Sequence, residues 1–130
     1  MKRERAIGYV RVSTDLQAES GLSLEAQRAK IQAYCVLHEL ELLGIEADEG
    51  ISGKSVQRPG LVRALALFDQ KKADTLVVTK LDRLTRSVRD LIGLIERYFE
   101  NGSCSLRSAT ENIDTRTSSG RLVLTMLGAV

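Results

Sequence analysis

The sequence predicts an α/β domain of three layers, α/β/α, built on a mostly parallel sheet of four to five strands. Three observations predict it. Short β-branched runs alternate with amphipathic segments, and strand–helix–strand alternation gives parallel strands with helices on both faces. The 130 residues fit one domain and no more. The composition, 43% apolar and 28% charged, is that of a globular chain able to build a core without staples.

The elements follow in order. Residues 5–13 are short and β-branched and read as a first strand. Residues 23–38 read as a helix that Ser23 can start, with Leu24, Gln27, Ile31 and Tyr34 recurring at spacings of three and four. Residues 41–47 form a second strand, and 49–58 a polar loop. Pro59 suits the first turn of a helix over 59–70, where its missing N–H costs nothing. Leu61, Leu65 and Phe68 mark its inner face. Residues 75–79 are a compact buried strand. Residues 85–101 carry an apolar stripe of Val88, Leu91, Ile92, Ile95 and Phe99, ended by Asn101-Gly102. Residues 105–109 are a fourth strand and 110–119 a polar loop. A further helix from about residue 119 carries Leu122, Val123, Met126, Leu127 and Val130, and meets no stop signal. The expectation is one domain over 1–130, cut within a long C-terminal helix.

Several classes are excluded or demoted. Cys35 and Cys104 are too few for a disulfide framework and are expected as packed, reduced thiols. No apolar run approaches the roughly 20 residues of a membrane span, so a cytoplasmic protein is expected. A net charge of +2 permits nucleic-acid binding without demanding it. With no tryptophan and 4% aromatics, base stacking on a sheet face is a poor guess. His38 is expected at the surface or as a cap, and Arg89, Arg97 and Arg107 as solvated side chains.

In open parallel sheets, ligands collect at the carboxyl ends of the strands. The first strand puts Tyr9, Arg11 and Ser13 on one side. A covered strand should be apolar, so Arg11 needs an acidic or phosphate partner; the bland alternative is a structural ion pair with Ser13 as a turn residue. The second strand ends near Asp48, and its loop runs to Arg58. The third opens into Lys80-Leu-Asp82-Arg83-Leu-Thr-Arg86, where Arg83 and Arg86 share a face if a helical turn begins. Arginine forks bind phosphate oxygens bidentately. A serine hydroxyl among guanidiniums has the parts for phosphoryl transfer: a nucleophile, and fixed positive charge over the non-bridging oxygens.

Gly53-Lys54-Ser55 mimics the end of a phosphate-binding Walker A loop. The first glycine of that motif would fall at 48, where the chain has Asp48, a carboxylate that would oppose phosphate. A nucleotide-binding protein is therefore the weaker alternative.

Five segments occur in order: Tyr9-Val10-Arg11-Val12-Ser13-Thr14, Gly21-Leu22-Ser23-Leu24-Glu25-Ala26-Gln27, Asp48-Glu49-Gly50-Ile51-Ser52-Gly53, Arg58-Pro59-Gly60-Leu61, and Lys80-Leu81-Asp82-Arg83-Leu84-Thr85-Arg86. Together they resemble the catalytic domain of the serine recombinases, the resolvase/invertase family. Glu111-Asn112-Ile113-Asp114-Thr115 and Gly120-Arg121-Leu122 fit its later segments. The resemblance implies a resolvase-like fold and site-specific DNA strand exchange. It casts Ser13 as the nucleophile that forms a transient 5′-phosphoserine link. Arg11, Arg58, Arg83 and Arg86 would grip the scissile phosphate. Asp82 would orient arginines or help the leaving oxygen, Asp48 would support, and Tyr9, Gln27 and Lys80 would line the site. It implies no cofactor and no metal, double-stranded DNA as partner, and a homodimer that pairs into a synaptic homotetramer, with no membrane and no small-molecule substrate. The family continues past this sequence with an Ala-Gln-x-Glu-Arg segment on a long helix and a DNA-reading domain, both missing here. A non-catalytic DNA-binding or assembly domain on the same scaffold stays open.

Overall fold

A computed structural model describes residues 3–12, 23–49, 58–84, 88–99, 104–111 and 113–115. Ser13, Arg86, the Gly53-Lys54-Ser55 segment and the expected C-terminal helix lie outside the described residues, as does the side chain of Asp82.

Five strands form one sheet: β1 (Arg5–Val12), β2 (Glu41–Glu49), β3 (Thr75–Val78), β4 (Ser105–Ser108) and β5 (Ile113–Asp114). Their order is β2-β1-β3-β4-β5. The first four run parallel, and β5 is antiparallel to β4. The order reverses direction at β1, which makes the cleft between β1 and β3 the topological switch point where such sheets bind ligands.

Helix α1 (Leu24–Leu37) covers one face, and α2 (Pro59–Asp69), α3 (Leu81–Leu84) and α4 (Val88–Leu94) the other. The period of two along β1 sorts its side chains accordingly. Ala6 and Val10 join Ile31, Tyr34, Cys35, Leu40 and Val77 under α1, while Ile7 and Tyr9 join Leu61, Phe68, Leu76, Val78, Leu84, Leu91, Phe99 and Leu106 on the opposite face. Strands apolar on both faces mark a sheet covered on both sides, so the expected three-layer architecture holds.

The caps follow the sequence. Ser23 Oγ accepts from Ala26 N–H at 3.1 Å and starts α1, His38 ends it, and Pro59 occupies the first turn of α2. Two elements differ from expectation. The expected 110–119 loop contains β5, two residues long, too short for any periodic pattern to mark. The expected 85–101 helix is described as α4 followed by a π-helical turn, Ile95–Phe99. The wider turn brings Tyr98 and Phe99 together onto Phe68, with ring centroids 6.1 and 5.9 Å away. Arg107, expected in solvent, is half-buried on β4, bonded to Glu4 at 2.8 Å and 3.6 Å from Asp114.

Candidate active site

The carboxyl ends of β1, β2 and β3 meet around the turn that α3 makes. Arg11, Arg58 and Arg83 converge there, with relative exposures of 0%, 8% and 3%. Long charged side chains are almost never this buried unless hydrogen-bonded. Arg11 Nε donates to the main-chain carbonyl of Arg83 at 3.0 Å. Arg58 Nη1 donates to the carbonyl of the next residue, Leu84. Two guanidiniums from separate elements thus hold the carboxyl end of one short turn. The strand pattern pointed to an acidic or phosphate partner for Arg11; a main-chain carbonyl is a partner it did not foresee.

Asp48 explains how Arg58 is freed for this contact. A helix leaves its first N–H groups unsatisfied, and the residue before it ordinarily caps them. Arg58 occupies that place in α2 and makes no side-chain cap. Asp48, from the end of β2, supplies it instead: Oδ1 accepts from Gly60 N–H at 2.8 Å and Oδ2 from Leu61 N–H at 3.2 Å. The approach needs a glycine, since a Cβ at Gly60 would stand 2.7 Å from the Ala47 carbonyl oxygen and 2.9 Å from Asp48 Oδ1. Asp48 Oδ2 also accepts from Tyr9 Oη at 2.7 Å. Burial, reinforced by that hydrogen bond and the carboxylate charge, holds the Tyr9 hydroxyl well above the ordinary phenol range. Tyr9 is thus a fixed donor, unsuited to act as a base.

Gln27 belongs to α1, on the other side of the sheet, and reaches the site through the backbone. β1 pairs with β2 along its whole length but with β3 only from Ala6 to Gly8. Beyond Gly8 the edge facing β3 lacks a strand. There the buried Gln27 amide accepts from Arg11 N–H and donates to Arg11 C=O, both at 3.3 Å, as a neighbouring strand would. Lys80 is exposed at the rim, and its carbonyl accepts from Arg83 N–H at 3.0 Å, closing the turn. The backbone of Asp82 lies in α3.

The structure therefore brings together Tyr9, Arg11, Gln27, Asp48, Arg58 and Arg83, with Lys80 at the edge. Sequence reasoning missed two contributors. Gly60 and Glu111 both stood in quoted segments but were given no role, although Glu111 follows β4 and Asp48 lies near the end of β2. Among the described residues, no group of three or more His, Cys, Asp or Glu side chains could hold a metal ion, and no helix is long and apolar enough to cross a membrane.

A sheet of this order is that of the catalytic domains of serine recombinases, the class to which the following comparisons assign the chain. The solved N-terminal catalytic domain of TP901-1 integrase matches with a TM-score of 0.86 at 36% identity, over 97% of this chain and 93% of that one. The family model described as "Resolvase, N terminal domain" matches residues 6–130, and the chain belongs to that family. The DNA-invertase of Escherichia phage P1 is 40% identical over 126 residues, 95% of this chain and 59% of the invertase. The serine recombinase gin of Escherichia phage Mu is also 40% identical over 126 residues, 95% of this chain and 56% of that protein. The chain thus spans less than two thirds of the length of these curated relatives.

Proposed function

We propose that this chain is the catalytic domain of a site-specific DNA recombinase acting by serine-mediated transesterification. The observation that carries the reading is the convergence of the buried Arg11 and Arg58 guanidiniums on the turn that carries buried Arg83, beside the strand whose last residue, Val12, precedes Ser13 in sequence. Ser13 Oγ attacks the scissile phosphorus. The Oγ–P bond forms, the P–O3′ bond breaks, the serine gives up its proton, and the 3′ oxygen leaves as a hydroxyl by gaining one. The arginine forks, with Arg86, hold the non-bridging oxygens as charge builds on them. Asp82 orients arginines or assists the leaving oxygen, and Lys80 meets the backbone at the rim. Tyr9, Asp48 and Gln27 position the arginines without touching the phosphate. The phosphoserine ester conserves the bond energy, so rejoining needs no nucleotide, and the chemistry runs without a metal.

The partner is double-stranded DNA, held by a homodimer that pairs into a synaptic homotetramer in the cytoplasm. Incubating the full-length protein with its crossover-site DNA in chelator, then quenching, tests the reading. The expected product is protein joined to DNA 5′ ends beside free 3′-hydroxyls, abolished by Ser13→Ala in a protein that still folds. Cleavage by that variant, or a strict magnesium requirement for cleavage, overturns it.

A further inference from the structure

We infer that Glu111 is a positioning residue of the recombination site: its carboxylate anchors the start of the α3 turn and thereby sets the place of Arg83. The inference rests on the recombinase reading above. After β4 the chain keeps pairing with the mouth of β3, as Ala109 N–H donates to Val78 C=O and Thr110 N–H to Thr79 C=O, each at 2.9 Å. That pairing delivers Glu111 to the start of α3. There Glu111 Oε1 accepts from Leu81 N–H at 2.7 Å. The buried Ser108 hydroxyl donates to the same oxygen at 2.7 Å and fixes the carboxylate's direction.

The physical need is specific. A four-residue helix makes only about one turn of its own backbone bonds, so most of its backbone groups require outside partners. Its carboxyl end is held by Arg11 and Arg58 through the carbonyls of Arg83 and Leu84. Its amino end is held by Glu111. Those guanidiniums are the groups proposed to grip phosphate, so once DNA draws on them Glu111 is a polar anchor that stays. Without it the amino end of the turn keeps only the packing of Leu81 and Leu84 in the core, and the Arg83 fork shifts from its line to the phosphate. Misplacing a reacting group by about 1 Å can cost about 10²-fold in rate.

The test has two readouts, amide exchange at Leu81 in the chain without DNA and single-turnover cleavage by the full-length protein. Glu111→Ala is expected to speed Leu81 exchange at least about tenfold and to slow cleavage about 10- to 100-fold. Glu111→Gln, whose side-chain oxygen still accepts, recovers most of both. Wild-type cleavage rates in Glu111→Ala overturn the inference, as does a Glu111→Gln protein with a protected Leu81 amide that cleaves as slowly as the alanine variant. Should Glu111→Ala fail to fold, Glu111→Asp, one methylene short of Leu81, takes its place with the same expected losses, and undiminished cleavage by it is equally fatal. Failure of the recombinase reading is distinct: wild-type protein then forms no 5′-linked product, whereas the Leu81 exchange comparison still stands or falls by itself.

Discussion

Two groups of arginines in this domain are held in different ways. Away from the strand mouth three meet a carboxylate: Arg5 with Asp74 at 3.0 Å, Arg63 with Glu46 at 2.9 Å, and Arg107 with Glu4 at 2.8 Å. At the mouth, Arg11 and Arg58 are held by main-chain carbonyls. A carboxylate fixes a guanidinium and cancels its charge. A carbonyl fixes it and leaves the charge in place. Asp48, a carboxylate among the mouth residues, accepts from neutral donors, the Tyr9 hydroxyl and two helix amides. The described contacts thus join Arg5, Arg63 and Arg107 to carboxylates and bond Arg11 and Arg58 at the mouth to main-chain carbonyls.

The sharpest way to break the contrast is to exchange arginine in each region. Arg83→Lys keeps the charge and loses the fork. Cleavage by the full-length protein is expected to fall by on the order of 10³ or more. Arg107→Met strands the partly buried Glu4 and should cost about 1–3 kcal/mol in denaturant unfolding, with cleavage per folded molecule unchanged. Equal effects on cleavage would erase the distinction.

Gly60→Ala attacks the mouth through its scaffold. The added methyl meets the Ala47 carbonyl oxygen and Asp48 Oδ1, so α2 must back away and lose its borrowed cap. The expected destabilisation is about 1–3 kcal/mol, seen as a lower urea midpoint, and cleavage should fall further than stability because Arg58 moves with the helix.

The smallest effect concerns Cys35, beneath α1 on the Arg107 side of the sheet. Burial raises its thiol from 9.0 to about 11, with the Arg107 charge opposing the shift. Between those values the folded chain holds a proton that the unfolded chain gives up. The associated stability is complete below pH 9 and is lost as pH rises towards 11, at no more than about 1.4 kcal/mol per pH unit. Tyr9, also raised from its ordinary 10.0, adds a loss of the same sign at higher pH. Cys35→Ala should flatten the lower part of an alkaline stability profile, and an unchanged slope would show that the thiol is not the titrating group.

Much of this was legible in the residues. Ser23, Pro59 and the period-two division of β1 encode local structure locally, so their elements appeared where the pattern placed them. The gathering of arginines followed from strand ends lying side by side. What could not be read was tertiary: Asp48 capping a helix that starts eleven residues further along the chain, Gln27 standing in for a missing strand, and Arg107 turning under α1 towards Glu4. Each is a contact between side chain and partner that no periodicity carries. The π-helical turn was equally hidden, because the apolar stripe reads alike at either winding until Phe68 is known to lie opposite.

The overhang of β1 reaches beyond the sheet itself. From Gly8 onward the strand is tied to β2 on one side and, on the other, to the tip of a single glutamine at Arg11. Arg11 is thus coupled to α1 as well as to β2. A load that tilts α1 pulls on the arginine's own backbone, which gives the far layer of the domain a mechanical line to the strand mouth.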